Sequence, residues 1–414
     1  MRILHTSDWH LGHQLLGISR EYEQQCFLNW LFEQLNQQNI DSLIVAGDIF
    51  DSANPPAWAW RLLYQFLAKV KQQLPMLDLL LVAGNHDSPS KLDAPDHLLK
   101  AFDIHLIGSL PRLADNSLDF DKLIIELTNA QGHVAARVAA VPFLRPGDLE
   151  LASIDDDVND KLICGVERIY QQLAQEINKR NDEAQASIAT AHAYLVSSQI
   201  SEMSERRILG GNQHALPVES FARQFDYTAL GHLHKPQQLA GQAVYYSGSP
   251  IPMSLSERTY KHQVKIVEFN QRRLVGVESV VIPRQVELLK IPVQPEPLAH
   301  VLAQLQALEL PDLPFHQQPL LEVSVLLDKP QSMLREQIVK ALHGKDIRLV
   351  KITSHYLQKE DVATTKLTDH LDQIQPEEVF KLKYRQQFNT DAPDQYLAAF
   401  NDLLAQSHLV DDSE

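Results

Sequence analysis

Cysteine is almost missing from this chain: its 414 residues carry only Cys26 and Cys164, far apart and in no CxxC spacing. That count excludes a disulfide framework and a zinc–cysteine site, and it fits a reducing compartment. Basic charge is the second shortage. Lys and Arg number 37 against 53 Asp and Glu, a formal charge of 37 − 53 = −16. The bulk charge therefore argues against a generally basic surface that grips nucleic acid by neutralising phosphates, and a nucleic-acid partner would need another device. Long apolar runs are lacking too, since nothing approaches the roughly 20 residues needed to span a bilayer. Met1-Arg2-Ile3-Leu4-His5 passes straight into Thr6-Ser7-Asp8, leaving no room for the apolar core of a signal peptide. The expectation is a soluble, cytoplasmic protein with no membrane segment. Internal repeats and low-complexity tracts are absent.

A 44% hydrophobic share is enough for sizeable cores, and at roughly 100–200 residues per domain the length implies two to three domains. The first half alternates short apolar runs with amphipathic segments, the pattern of an α/β domain. Five runs, at 2–5, 42–46, 78–83, 187–191 and 227–230, read as strands. Helices are expected at 21–35, with Tyr22, Cys26, Trp30 and Phe32 near helical spacing, at 57–70 and at 166–183. These aromatic stripes read as core rather than as cofactor boxes.

Beyond Pro283 the texture changes to a small β-α-β-α-β unit, with strands at 286–291, 320–327 and 347–353 and helices at 298–308 and 332–342. Pro292, Pro295 and Pro297 punctuate its start, and Pro311 and Pro314 its middle. After a polar stretch come two short helices. The first opens at Pro376 and carries Phe380 and Tyr384; the second runs over 394–406 with Tyr396, Leu397, Phe400, Leu403 and Leu404 on one stripe. A lone helical hairpin cannot bury that stripe, so it either folds back on the body or waits for a partner helix.

Each of the five strands ends at a polar motif. In order these are Asp8-Trp9-His10, Gly47-Asp48, Gly84-Asn85-His86-Asp87, His192 and Gly231-His232-Leu233-His234. Imidazoles and carboxylates at strand carboxyl ends point into the crevice where α/β proteins bind ligands, so several strands can converge on one metal cluster. Two residues apart on extended chain, Asp8 and His10 project to one side, as do His232 and His234. Gly47, Gly84 and Gly231 allow sharp turns and close backbone approach. Other histidines (His5, His13, His97, His262) read as structural, and Arg206-Arg207 beside Arg223 reads as solvated surface.

This array resembles the calcineurin-like metallophosphoesterase superfamily, whose order of motifs is D-x-H, G-D, G-N-H-D/E, H and G-H-x-H. The longer strings around Asp8, Asp48 to Asp51, Gly84 to Ser88 and Gly231 to Pro236, together with Tyr246-Ser247-Gly248-Ser249-Pro250, are similar to the branch of DNA nucleases that work with an SMC-like ATPase. The resemblance implies a β-sandwich flanked by helices, a small α/β accessory domain and a C-terminal helical hairpin. Divided accordingly, 1–280 is the nuclease domain, 281–355 a small domain shaping DNA access, and 356–414 a linker with helices that bind the ATPase. It further implies that Asp8, His10 and His234 hold one ion, that Asn85, His192 and His232 hold a second, and that Asp48 bridges both, one carboxylate oxygen facing each. Mixed nitrogen and oxygen donors favour Mn²⁺, Fe²⁺ or Zn²⁺ over Mg²⁺, and the resemblance tips this to Mn²⁺. His86 is left as general acid or transition-state stabiliser, with Asp87 as the group that orients it. Phe380, Tyr384, Leu397, Phe400 and Leu404 are the candidate contacts to the ATPase, in an assembly expected to contain a dimer of this chain. Charge follows the same division: 281–355 holds eight basic and eight acidic side chains, and 356–414 holds five and twelve.

The expected activity is a two-metal phosphodiesterase acting on duplex DNA ends and hairpins in repair, recombination and replication. The alternative is a phosphodiesterase or phosphatase of the same superfamily acting on nucleotides or other small esters.

Overall fold

Strands that are apolar on both faces must be covered on both sides, and the strand Ser42–Ala46, buried at every position, sets the plan of the molecule. The computed structural model describes residues 1–149, 158–196, 198, 215–329 and 331–356; beyond these it describes 380–381, 383–385, 390–391, 393, 396–397 and 400. The first six-stranded sheet runs in the order Arg273–Val281, Gln263–Asn270, Arg2–Thr6, Ser42–Ala46, Asp78–Val82, Ile104–Ile107. Its last four strands are mutually parallel. A second six-stranded sheet has the order Gln237–Gln238, Val244–Tyr246, Tyr227–Gly231, Ala186–His192, Val134–Ala139, Ile124–Thr128. The four strands in its middle are parallel as well.

The sheets stack face to face, with Ile3, Ile44, Leu80 and Val82 meeting Val138, Ile188, Tyr227 and Ala229 between them. Helices Glu21–Gln37 and Ala57–Gln73 cover the outer face of the first sheet. Helix Val158–Arg180 covers the second through Ile169, Tyr170, Leu173 and Ile177. All five expected strands and the first two helices are present within a few residues, while the third, expected at 166–183, begins eight residues earlier at Val158. One helix face is turned from its expected position. Phe27, Leu28, Leu31, Phe32 and Leu35 are its buried apolar positions, with Trp9 edge-on to Phe27, while Tyr22, Cys26 and Trp30 are half-buried; of the expected stripe only Phe32 is buried.

The small module is a parallel sheet, Leu288–Pro297, Leu320–Leu327 and Arg348–Tyr356, with helices Leu298–Ala307 and Leu334–Ala341 packed on it. Its first strand continues through Pro292, Pro295 and Pro297 instead of stopping at Ile291. The strand lies at the sheet edge and its register shifts between Ile291 and Glu296, so the missing proline N–H groups break no central ladder. Contacts divide the chain into two units, Met1–Tyr356 and Leu357–Glu414. Within the first, the small sheet shares a core with the body: Val286, Leu288 and Leu320 pack with Leu15 and Leu255.

In the second unit the described residues are helical at 380–381, 383–385, 396–397 and 400. There Phe380 stacks on Phe400 at 4.5 Å between ring centroids, and Tyr384 lies 5.8 Å from Tyr396. Leu404 and the Arg206-Arg207 pair lie outside the described residues. Among the described residues, no helix is long and apolar enough to cross a membrane.

Candidate metal centre

The parallel strands of both sheets deliver their carboxyl ends to one place, and adjacent loops lace together there: Asp8 N–H donates to the Gly47 carbonyl at 2.9 Å and His10 N–H to the Asp48 carbonyl at 3.0 Å. Within the second sheet, Gly231 is in register with His192 on the neighbouring parallel strand. Close approach explains the glycines. A Cβ on Gly47 would stand 2.0 Å from His192 Nδ1, one on Gly84 2.1 Å from Asp48 Oδ1, and one on Gly231 1.8 Å from the Ala46 carbonyl oxygen. Only Gly47 of the three also needs a positive φ, at +97°. Four non-glycine residues do as well: Asp8 (+53°), His10 (+45°), Asp48 (+47°) and His232 (+103°). Each such conformation costs about 1–3 kcal/mol, and together they aim donor side chains inward from the turns that follow the strands.

The donors meet closely. His10 Nε2 lies 3.2 Å from His234 Nε2, and Asp8 joins them in one group of three whose ligand atoms lie within 4.8 Å of one another. On the other side Asn85 Oδ1 is 3.0 Å from both His192 Nε2 and His232 Nδ1. Asp48 Oδ2 stands between the two groups, 3.6 Å from His10 Nε2 and 3.3 Å from His192 Nε2. Its other oxygen, Oδ1, accepts the His86 backbone N–H at 2.9 Å. The expectation placed one carboxylate oxygen towards each cation; here Oδ2 is the oxygen that stands between the two groups, while Oδ1 also carries a backbone N–H.

The electrostatics suit cations. Burial would raise the Asp48 carboxyl, but the charge and hydrogen bond of His192, with His10 and His86, hold it well below the usual range. Burial would lower His192, yet Asp48, Asp8 and the Ala46 carbonyl carry it up to about 9. That pull is the negative potential a divalent ion would take over from the proton. His10 is lowered by burial, and His232 is pushed down to about 3 by burial and by His192. Two imidazole Nε2 atoms in contact, with two carboxylates beside them, form a donor set that a cation satisfies and that hydrogen bonding among themselves does not. The residues present therefore fit a divalent metal centre.

Around these donors lies a ring of orienting groups that the motifs did not reveal. His192 Nδ1 donates to the Ala46 carbonyl at 2.9 Å, and His234 Nδ1 donates to the fully buried Glu257 at 3.0 Å. Asp51 Oδ1 is 3.3 Å from His10 Nδ1 and 2.9 Å from His13 Nδ1; burial opposes its ionisation, but these imidazoles hold its carboxyl low. Ser7 donates to Asp8 Oδ2 at 2.5 Å and meets Ser247 at 2.8 Å. Nothing in the sequence sets Glu257, seven residues beyond Ser247-Gly248-Ser249-Pro250, apart from the other acidic side chains.

His86 and Asp87 separate. His86 Nδ1 donates to the Asp51 carbonyl at 2.8 Å, whereas Asp87 accepts the backbone N–H groups of Ile49, Phe50 and Gly84 at 3.0, 2.9 and 2.8 Å. The reading of Asp87 as the group that orients His86 is therefore corrected. Its acceptors are taken up in tying the Asn85 turn to the Asp48 turn, and Asp51 orients the imidazole. Burial and the nearby Asp48 charge push the Asp87 carboxyl up to about 7. The histidines expected to be structural show other partners. His5 contacts Tyr227 Oη and the Leu230 carbonyl, His262 contacts the Ser249 carbonyl, and His97 is exposed.

A family model described as "Calcineurin-like phosphoesterase" matches residues 1–236. SbcD of the SbcCD nuclease of Rhodobacter capsulatus is 37% identical over 85% of this chain and 87% of its own length. The chain belongs to the calcineurin-like phosphoesterases, in the SbcD group. The phosphoesterase match is joined by a second model, described as "Type 5 capsule protein repressor C-terminal domain", over 284–388. SbcD of Escherichia coli K12 is 30% identical over 92% of both chains. That of Bacillus subtilis is 35% identical over 65% of this chain and 66% of its own.

Proposed function

We propose that this chain is the nuclease component of an SbcC–SbcD-type complex. It is a metal-dependent phosphodiesterase that acts as a 3′–5′ double-strand DNA exonuclease and as an endonuclease on single strands and hairpins. The observation that carries the reading is the convergence of all seven donors on one centre, in a chain whose relatives over nearly full length are named as parts of the SbcCD nuclease.

Asp8, His10 and His234 would hold one ion and Asn85, His192 and His232 the other, with Asp48 Oδ2 between them. Bound there, two divalent cations, Mn²⁺ in this reading, supply water activation and charge stabilisation at the phosphoryl oxygens. The chain's own residues do the rest. Glu257 and the Ala46 carbonyl hold His234 and His192 by Nδ1, so each presents Nε2 to the centre. His86, bound through Nδ1–H to the Asp51 carbonyl, keeps Nε2 for substrate. With that carbonyl fixing the Nδ1 proton, a second proton on Nε2 makes the ring cationic, suited to donate to the leaving oxygen or to stabilise negative charge on it. Asp87 acts by fixing the backbone on which Asp48, Asn85 and His86 stand.

The three-part division follows: 1–280 cuts, 281–355 shapes access to the duplex, and 356–414 binds the SMC-like ATPase SbcC through Phe380, Tyr384, Leu397, Phe400 and Leu404. Two copies of this chain work with two of the ATPase in the cytoplasm, in DNA repair, recombination and replication. The test is incubation with Mn²⁺ of duplex DNA, hairpin DNA and a small chromogenic phosphodiester, each with and without the ATPase. Cleavage of both DNAs, increased by the ATPase, is expected; hydrolysis of the small ester alone would overturn the reading.

A further inference from the structure

The two ion positions are built on different supports. His192 is held by the Ala46 carbonyl, at the end of a central strand buried at every position. His234 is held instead by one turn, 253–257, which also reaches the Asp51 carboxylate beside His10. Glu257 Oε1 accepts from His234 Nδ1 at 3.0 Å while its Oε2 accepts the Met253 N–H at 2.8 Å, closing the turn on itself. The Met253 carbonyl in turn accepts from His13 Nε2 at 3.1 Å, and His13 Nδ1 meets Asp51 Oδ1, the oxygen that faces His10 Nδ1. One short segment thus orients His234 directly and, through His13, fixes the Asp51 carboxylate that faces His10.

What fixes the turn lies outside the nuclease body. Leu255, at its middle, packs with Val286, Leu288 and Leu320 of the small module, and with Leu15 in the hairpin that follows His10. Gln317 Nε2 of the module also donates to Tyr22 Oη at 2.8 Å, and His316 packs on the Tyr22 ring. Any shift of the module against the body is therefore transmitted to Leu255, in the turn that carries Glu257, and to Leu15, five residues beyond His10. The strand ends that carry His192 and His232 have no such attachment in this apolar cluster.

We propose that Glu257 is the positioning residue for His234 and that the accessory module, by clamping the 253–257 turn, sets the affinity of the ion position formed by Asp8, His10 and His234. The inference rests on the two-metal reading above. It makes the two positions unequal: the Asn85–His192–His232 position is preformed by the sheets, and the other is complete only while the module is seated. A partner that moves the module would then control loading of that ion, and so turnover, without touching the centre.

Calorimetric titration of the full chain with Mn²⁺ tests it. The unaltered protein should bind two ions. Glu257→Gln keeps the shape but not the charge, and should weaken one ion by about 10–100-fold while leaving the other unchanged. Val286→Ala and Leu255→Ala, which touch no donor, should weaken the same ion at least several-fold, with melting curves showing a folded protein. Hydrolysis of a small phosphodiester by Val286→Ala should return at saturating Mn²⁺ with KM unaltered, which a general loss of folding would not allow. Unchanged binding of both ions in Glu257→Gln would overturn the positioning role. Weakening in Glu257→Gln with none in Val286→Ala or Leu255→Ala would overturn the clamp. If the unaltered protein bound fewer than two ions, the two-metal reading itself would fail, a result distinct from either.

Discussion

His10 and His234, 224 residues apart in sequence, face each other Nε2 to Nε2 at 3.2 Å. Two nitrogen lone pairs at that distance repel unless a proton or a cation lies between them. His234 is held from behind by Glu257, and the Asp51 carboxylate stands 3.3 Å behind His10 Nδ1. The pair is a seat for a charge.

Asp48 joins the two halves of the centre through one oxygen. Asp48→Ala should abolish loading of both ions and lower cleavage by at least about 100-fold. Elemental analysis of the purified variant checks this directly, and two ions per chain would contradict the bridging position.

His86 contributes no donor to either triplet in the proposed assignment. His86→Ala should bind Mn²⁺ nearly as the unaltered chain does, yet lose about 10²- to 10⁴-fold in turnover of a DNA substrate. Comparing metal content with cleavage rate on the same preparation separates the two, and unaltered turnover would remove His86 from the mechanism.

Asp87 is a tie between turns rather than a partner of His86. Asp87→Ala leaves the N–H groups of Ile49, Phe50 and Gly84 without their acceptor in a buried site. At about 1–3 kcal/mol for a buried group left unpaired, a stability loss of about 3 kcal/mol or more is expected in urea unfolding. A variant as stable as the parent would show that these bonds are replaced by water.

Acid should weaken the fold through His5. Burial pushes this histidine down from 6.5 to about 3, against the Leu230 carbonyl, so it is neutral when folded and takes a proton when unfolded. Between those values the unfolded chain binds more protons, and stability falls as pH is lowered through 6.5 towards 3. At pH 5 the loss from this group is about 2 kcal/mol, at about 1.4 kcal/mol per pH unit. His5→Gln should be less stable near neutrality but should lose about 2 kcal/mol less between pH 7.5 and 5; equal losses in the two proteins would show that His5 is not the group titrating.

Much of this protein was legible in its sequence. Strand and helix positions follow from side-chain periodicity, and the five motifs stand at strand ends because a chain leaving a parallel sheet must place its polar residues at the edge. That pattern gathers the five motifs at one crevice; the choice of Asp8, His10, Asp48, Asn85, His192, His232 and His234 among their residues came from the resemblance to the phosphoesterases. Their support was not legible there. Glu257 sits 23 residues beyond His234 in a short 3₁₀ turn with no period of its own, and nothing local distinguishes its carboxylate from the other acidic side chains of an acidic chain. Asp87, adjacent to His86, invited a pairing that the turn geometry forbids.

Composition and pattern, being local, determined the alternation of strands and helices, the residue types at each strand end, and the net acidic charge. Tertiary structure decided which oxygen of Asp48 is central, what stands behind His10 and His234, and that the small module reaches the turn that carries Glu257. Those are distances between segments far apart in the chain, and they exist only once two sheets stack and their loops close over one another.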